Sequence, residues 1–560
     1  MGGVCTAAGI PGYYYGSKGG LYEEIDQKTA ELTGLGYTKA RGINQELKKL
    51  ILEQEAIKAG VMVEYESTLI GVFMEGKRIV GIRWISPKGV KEAAAKIVID
   101  ATGEGTVCVM AGCETGRGRE IDGGAQPYSN GIMVLEGDVV RGRSTDCGYV
   151  DQRDPDSLTE AVLYSGTLPL HLRDDYTEGD RLLYVAPQLG VREGRYIVGE
   201  VDLRFSDYLE GKVSNEPVYY AYANLDNHGK DMSFENSLQK DWIMTAGLWG
   251  LVSSVPVPLG ALIPKGYEGI LCVGRAIAAD HDLQNFIRMK RDAQKSGEAA
   301  ANAAYLSIKH NIPLKEVTYA ELKKLLMETG CINEEYKDKM EMMRVSTQKE
   351  SLKKAKWLDN LDDVLKGLSS DEAGIAIWSA VRCKEKFKKE LEFYIENSDD
   401  INFKRNTALA LGLMGSEKAI PFLTQMVKER DTYISKTSRI YNQMRGVAAI
   451  YLLGKFKFAP IIPELLNIIS YPESFDNINI EYNEFIGNHD ELYFQFFAAS
   501  LMSLMQIGKE HKEHRDLIKR TINDVLNNDN LKLLITLKDD KNLIYDMKEK
   551  VKYIVKAMGY

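Results

Sequence analysis

Apolar and polar positions change rhythm several times along this chain. Residues 60–72 (GVMVEYESTLIGV) and 76–85 (GKRIVGIRWI) alternate with the period of two that a half-buried strand requires, which predicts a hairpin or meander. A continuous apolar run, Ile97–Ile99, follows and ends in Asp100-Ala101-Thr102-Gly103, with Gly105 beyond it. A buried strand entering a tight glycine turn is an α/β feature, because small residues there let a ligand approach the backbone closely. A helix is expected over 43–58. The most distinctive pattern is 256–304: an apolar strand, a Gly-Arg turn at 274–275, a polar loop, then an Ala-rich helix. That order holds a ligand at the carboxyl end of a strand and against a helix N-terminus, where unpaired N–H groups favour anionic or electron-rich atoms. A short helix within 314–330 closes the segment.

Beyond about residue 335 the chain becomes Lys-rich, Gly-poor and helical in period. Residues 407–427 and 447–469 share a frame in which Gly415 and Gly454 each follow an Ala/Leu helix and precede an Ala/Pro-led one. A spacing of about 40 residues matches HEAT-type helical pairs, which stack to bury a common core and present an extended face. Residues 497–522, with Gly508, and 376–395 read as further units. The alternative is an irregular helical bundle. The fold class expected is α/β with an inserted mixed α+β domain, followed by an all-α HEAT-like domain, divided at 1–115, 116–255, 256–334 and 335–560.

Composition narrows the function classes. The 560 residues are 44% hydrophobic and 27% charged, with a net charge of −9 and both signs interspersed, which argues against a nucleic-acid surface. No run of apolar residues is long enough to span a membrane. The N-terminus lacks a signal-peptide pattern, so a cytoplasmic protein is expected. The seven cysteines include no CxxC pair, and only Cys108 and Cys113 are near neighbours. Cys113 and Cys272 read as small buried apolar residues. No histidine pair has HxH or HExxH spacing, so no protein-held metal is expected.

The 256–304 pattern resembles the flavin-closing segment of FAD-dependent oxidoreductases related to the flavin subunit of heterodisulfide reductase. Gly274, Arg275, His281, Arg288, Gly297, Ala299 and Ala300 match its Gly-Arg strand end, Ala-x-His loop, Arg and helix opening. Asp100-Ala101-Thr102-Gly103-Glu104-Gly105 is similar to the Ala-Thr-Gly motif of two-dinucleotide-domain flavoproteins. Gly2, Gly3, Thr6 and Gly9 match a Gly-Gly-x-x-Thr-x-x-Gly loop that the family places beside the pyrophosphate and flavin, which also draws attention to Cys5. Residues 190–212 resemble the family's Arg-Glu-Ser-Arg-Arg-Ile-x-Gly block, with Gly194 in place of Ser and Tyr196 in place of the second Arg. Residues 223–229 (ANLDNHG) occupy the place of an Asp-x-His segment. The resemblance covers about residues 1–330 and implies FAD as cofactor. Kinship alone would add a 4Fe–4S cluster, for which no cysteine ligand set is visible.

The GxGxxG unit that opens such folds is absent, and GRGRE at 116–120 follows no strand. A misassigned start or truncation is the favoured explanation, beside a unit supplied by another polypeptide or a degenerate relative. Candidate cofactor-binding residues are Gly2, Gly3, Thr6, Gly9, Thr102, Gly103, Gly105, Gly274, Arg275, Gln294 and Gly297. The helix N-terminus near Met289–Gln294 offers a field for reduced flavin, with Arg288 or Lys290 adding charge.

His281 is the candidate acid/base, expected in a loop and oriented by Asp280 and Asp282, or else a structural histidine. Arg192 and Arg195, on an expected strand with Glu193, either clamp an anionic or polyol substrate or form an internal ion network. His228 beside Asp226 is a second candidate. The favoured function is FAD-dependent hydride or electron transfer with a small organic substrate. The rivals are a non-catalytic scaffold, whose helical repeats hold a protein partner, and an electron-transfer subunit serving an iron–sulfur partner. Substrate, direction of electron flow and oligomeric state are open.

Overall fold

The computed structural model describes residues 2–37, 43–166, 181–346, 349–435, 443–480, 485–537 and 540–560. They form two compact units. The first comprises Met1–Arg119, Gly123–Ala223 and Ser253–Lys339, and the second Glu120–Asp122, Asn224–Val252 and Met340–Tyr560. Residues 116–255, expected as one inserted domain, therefore contribute to both.

In the first unit, Asn44 caps the helix Gln45–Lys58 by accepting from the N–H groups of Glu46 and Leu47. The expected meander is present as strands Thr68–Glu75, Arg78–Ser86 and Gly89–Ala94. It begins later than residue 60. Glu66 adopts a left-handed φ of 52°, which breaks the extended chain. The Glu64 carboxylate also turns onto the Trp84 indole (3.0 Å) and Ser86 (3.2 Å).

Strand Val98–Asp100 runs parallel to Ile270–Cys272, with Asp100 opposite Cys272. The Asp100 carboxylate then folds the chain back on itself. It accepts from Thr102 N (3.0 Å), Thr102 Oγ1 (2.7 Å) and Cys108 N (3.1 Å), while Gly103 and Gly105 take φ values of 80° and 62°. A three-stranded antiparallel sheet centres on Tyr128–Glu136, flanked by Val139–Gly148 and Arg181–Val185. Thr115–Arg117 pairs with Arg195–Ile197. The expected strand at 192–195 begins only at Arg195, so facing positions for Arg192, Glu193 and Arg195 do not follow from strand alternation. The long helix Lys290–His310 and the helix Tyr319–Glu328 complete the unit.

The second unit is mainly helical. Helices Ile401–Leu413, Arg445–Lys455 and His489–Glu510 begin at equal intervals, and each is followed by a partner, Ile420–Lys428, Ile462–Ser470 and Lys512–Leu526. Counted from the helix ends, Gly412 and Gly454 are equivalent, because Gly415 N donates to Gly412 O and Lys457 N to Gly454 O. A Cβ at Gly412 would meet Leu452 at 2.7 Å, and one at Gly454 would meet Ser503 Cβ at 2.8 Å. Gly415 instead ends its helix with a φ of 68°, a place taken in the next pair by Lys457 at 54°. The expected match of Gly415 with Gly454 is thus out of register. An all-α tail is also incorrect. Met340–Ser346 pairs with Lys349–Lys354, and Leu534–Leu537 with Asp540–Asp546. The alternate burial of Leu531, Leu533 and Ile535 is the period-two signal that the surrounding helical rhythm conceals.

Candidate active site

Two turns meet at the carboxyl ends of the parallel strands, the position where open α/β sheets bind ligands. One is Asp100–Thr106. The other begins at Gly274, whose φ of 78° needs no side chain and whose surroundings leave open space at its Cβ position. The Gly274 N–H donates to Ser296 Oγ at 2.8 Å, which fastens this turn to the long helix. Arg275 lies over the first turn. Its guanidinium would sit 3.2 Å from a Cβ on Gly103, and it pairs with Glu104 at 2.7 Å. Among the described residues, buried Arg275 Nη1 finds no hydrogen-bond acceptor, and burial lowers the pKa of the group.

His281 lies beyond Arg275, but not in a loop. It opens the helix His281–Ile287, which Asp280 caps by accepting from Leu283 N at 2.8 Å. Asp280 also accepts from Phe205 N at 3.0 Å, and burial raises its pKa. The His281 ring meets Glu193, with Nδ1 and Oε1 2.6 Å apart and both side chains almost wholly buried. An ionised carboxylate only accepts, so a neutral His281 carries its proton on Nδ1 and its lone pair on Nε2. Gln126 N donates to the other Glu193 oxygen at 3.0 Å and fixes the carboxylate.

The next residue, Gly194, explains its own identity: a Cβ there would run into the Glu104 carboxylate. Arg195 follows, donating to Glu104 from its N–H (3.3 Å) and its guanidinium (3.4 Å). Residues 193–195 thus tie the His281 helix to the Ala-Thr-Gly turn. Glu193 was read in the sequence only as a partner for arginines, since its contact with His281 bridges distant segments.

Arg192 and Arg195 take separate partners. Arg192 Nη1 donates to the Pro127 carbonyl at 2.6 Å, whereas Arg195 serves Glu104. Arg288 follows the His281 helix as its C-cap, its N–H donating to Gln284 O at 3.2 Å. His228 faces Asp226 at 3.2 Å within the second unit.

The N-terminal candidates form a tight turn. Thr6 N, Thr6 Oγ1 and Ala8 N all approach the Gly3 carbonyl, at 3.0, 3.4 and 3.1 Å. Gly2 and Gly9 take positive φ values of 127° and 67°. Gly9 packs backbone to backbone on Gly131, which is reason enough for glycine at both. Beside this turn the Lys290 amine donates to the carbonyls of Ile10 (2.6 Å) and Gly12, and burial lowers its pKa to about 8. Cys5 is half-buried, and burial raises its thiol pKa. Gln294 joins a buried network: it donates to Tyr13 Oη (3.1 Å) and accepts from Lys48 (3.3 Å), which pairs with Asp26 (2.7 Å). Gly297, half-buried in the same helix, has open space at its Cβ position.

These residues fit a nucleotide cofactor on two counts. Among the described residues, the buried Arg275 donor finds no acceptor, and the positions a Cβ would occupy at Gly274, Gly297 and Gly3 are clear. A further cluster escaped the sequence reading: Asp100, Cys108 and Cys272 converge, with Cys113 beside Cys108. No described helix is long and apolar enough to cross a membrane.

A family model for FAD dependent oxidoreductases matches residues 1–161 and 149–326. No curated protein and no solved structure matches the chain. With its matched region spanning more than half of the sequence and enclosing both glycine turns, the chain belongs to the FAD dependent oxidoreductase family.

Proposed function

We propose that this protein transfers a hydride or an electron pair between a small organic substrate and FAD, with His281 moving the accompanying proton. The observation that carries this reading is the buried His281–Glu193 pair, 2.6 Å apart, beside the turns that bear Arg275 and Gly103. FAD, when bound, supplies the two-electron chemistry, and the protein supplies position, charge and proton handling. Gly103, Gly274, Arg275 and Gly297 would hold it. Arg275 brings a positive charge whose cost of burial is offset by Glu104 and by an anionic or electron-rich ligand atom at Nη1. Glu193 orients the His281 ring for proton transfer with substrate. It also stabilises the imidazolium that results. The order of motifs from Gly274 to Ala300 supports kinship with the flavin subunit of heterodisulfide reductase, and the stacked helical pairs are suited to a protein partner.

The test uses the full chain with FAD added, followed by its visible absorption through gel filtration and on mixing with candidate C–H donors. His281→Gln is expected to keep the bound-flavin spectrum and to slow flavin reduction by about 10²–10⁴-fold, the usual contribution of a positioned acid/base. Glu193→Gln should slow it less and shift its pH profile. Unchanged reduction in His281→Gln would make the residue structural and sink its assigned role. A chain that takes up no FAD would sink the catalytic reading as a whole.

A further inference from the structure

Beneath the Ala-Thr-Gly turn, Asp100, Cys108 and Cys272 converge in one buried place, with Cys113 beside Cys108. We propose that Cys108, Cys113, Cys272 and Asp100 form a binding site for a thiophilic divalent cation of the zinc class. The site is independent of the proposed redox reaction.

The fold builds it in three steps. Parallel pairing sets Asp100 directly opposite Cys272 at adjacent strand ends. From Gly105 the short helix Thr106–Met110 carries Cys108 back under Asp100, its N–H donating to the carboxylate at 3.1 Å. At the far end the Cys113 N–H closes onto the Cys108 carbonyl at 2.9 Å, folding the fifth residue on back towards the first. As a result the Cys108 thiol lies within hydrogen-bonding reach of both Cys113 and Cys272. The ligand atoms of Asp100, Cys108 and Cys272 all lie within 4.8 Å of one another. All four residues are buried.

The donor set selects the ion. Two cysteines with four residues between them supply one half of the usual structural zinc arrangement, and a third thiol and a carboxylate complete four ligands. Hard cations such as Mg²⁺ and Ca²⁺ take oxygen ligands and are poorly served by three sulfurs. Asp100 is already held by Thr102 and by the Cys108 N–H, the outer support that keeps a coordinating carboxylate oriented. The surroundings are apolar, with Ile79, Val107, Ile197 and Ile270 packed about the cysteines. On binding, each coordinating thiol gives its proton to solvent and its sulfur to the metal, with no change of oxidation state. Lys77, whose charge acts on Cys113, offsets part of the negative charge that this leaves. The bound ion would brace the strand end preceding Gly274 and Arg275 against the turn that holds Gly103.

The experiment is a titration of the reduced, metal-free full chain with Cd²⁺, read as thiolate-to-cadmium absorption in the ultraviolet, followed by competition with Zn²⁺. The proposal expects saturation at a single equivalent and displacement of the band by Zn²⁺. Cys108→Ala and Cys272→Ala should each abolish tight binding, and Cys113→Ala should lower the band by one thiolate's share. Cys331→Ala, at a cysteine buried elsewhere in the same unit, should leave it unchanged. Circular dichroism separates lost binding from lost folding. If both alanine variants unfold, the wild-type band and its reduction in Cys113→Ala decide. A wild-type chain with no such band, or a band that survives Cys272→Ala in a folded protein, would overturn the site.

Discussion

At the scale of single residues, Asp292 shows how burial alone sets a titration. It is fully buried on the long helix and accepts from Ser17 N (2.9 Å) and Tyr222 N (3.1 Å), yet desolvation outweighs these bonds and pushes its pKa up to about 7. The folded state therefore holds this proton more tightly than the unfolded chain. The associated stability is fully present below the unfolded value near pH ~4 and is lost as pH rises towards about 7. Asp292→Asn should remove this fall between pH ~4 and 7 in urea midpoints. It should also cost about 1–3 kcal/mol, because its amide group turns one of the two donors away. Gly194 gives a second prediction. Gly194→Ser, the residue seen in the resembling motif, should displace Glu104 from Arg275. The pair is partly exposed, so stability should fall by only about 1 kcal/mol, but FAD affinity should change measurably if Arg275 holds the cofactor.

At the scale of elements, equivalent positions in successive helical pairs should respond in opposite ways. Gly415 and Lys457 both close a helix in the left-handed region. Gly415→Ala should destabilise by about 1 kcal/mol, whereas Lys457→Gly should be neutral or stabilising by about 0.5–1 kcal/mol, because glycine alone adopts that φ freely. Gly454→Ala forces a methyl group against Ser503 on the neighbouring helix and should cost about 1–3 kcal/mol through overpacking. Chemical denaturation of the three variants checks the register directly. Equal effects at Lys457 and Gly454 would mean that the frame assigned to these pairs is wrong.

At the scale of the whole molecule, the two units are not consecutive stretches of chain. Residues 224–252 belong with the helical unit, and the reason is chemical. Lys230 and Glu491 are both buried and pair at 2.8 Å, and Gln495 donates to the Lys230 carbonyl at 2.8 Å. Asp231, also buried, pairs with Lys550 at 2.7 Å. A fragment of residues 340–560 would keep Glu491 buried without its cation, a loss of about 3–5 kcal/mol. Such a fragment should show helical circular dichroism but a broad, weakly cooperative melt. A sharp transition like that of the full chain would refute this view of the unit.

Sequence by itself determined the elements that depend on local rhythm and local chemistry. The meander, the Asp100 strand and its glycine turn, the Gly274–Arg275 turn, the long helix and the paired helices beyond 400 all follow from periodicity, glycine and caps. It also carried the family, because the turn residues that approach a cofactor are short-range features. Only the tertiary structure decided the partners. Glu193 meets His281, Glu104 meets Arg275, and Cys272 meets Asp100 across long sequence separations, through pairings that no periodicity encodes. The same reason underlies the division of residues 116–255 between the two units. A buried charge belongs to whichever unit holds its counter-charge, and Lys230 finds Glu491 only after the chain has folded.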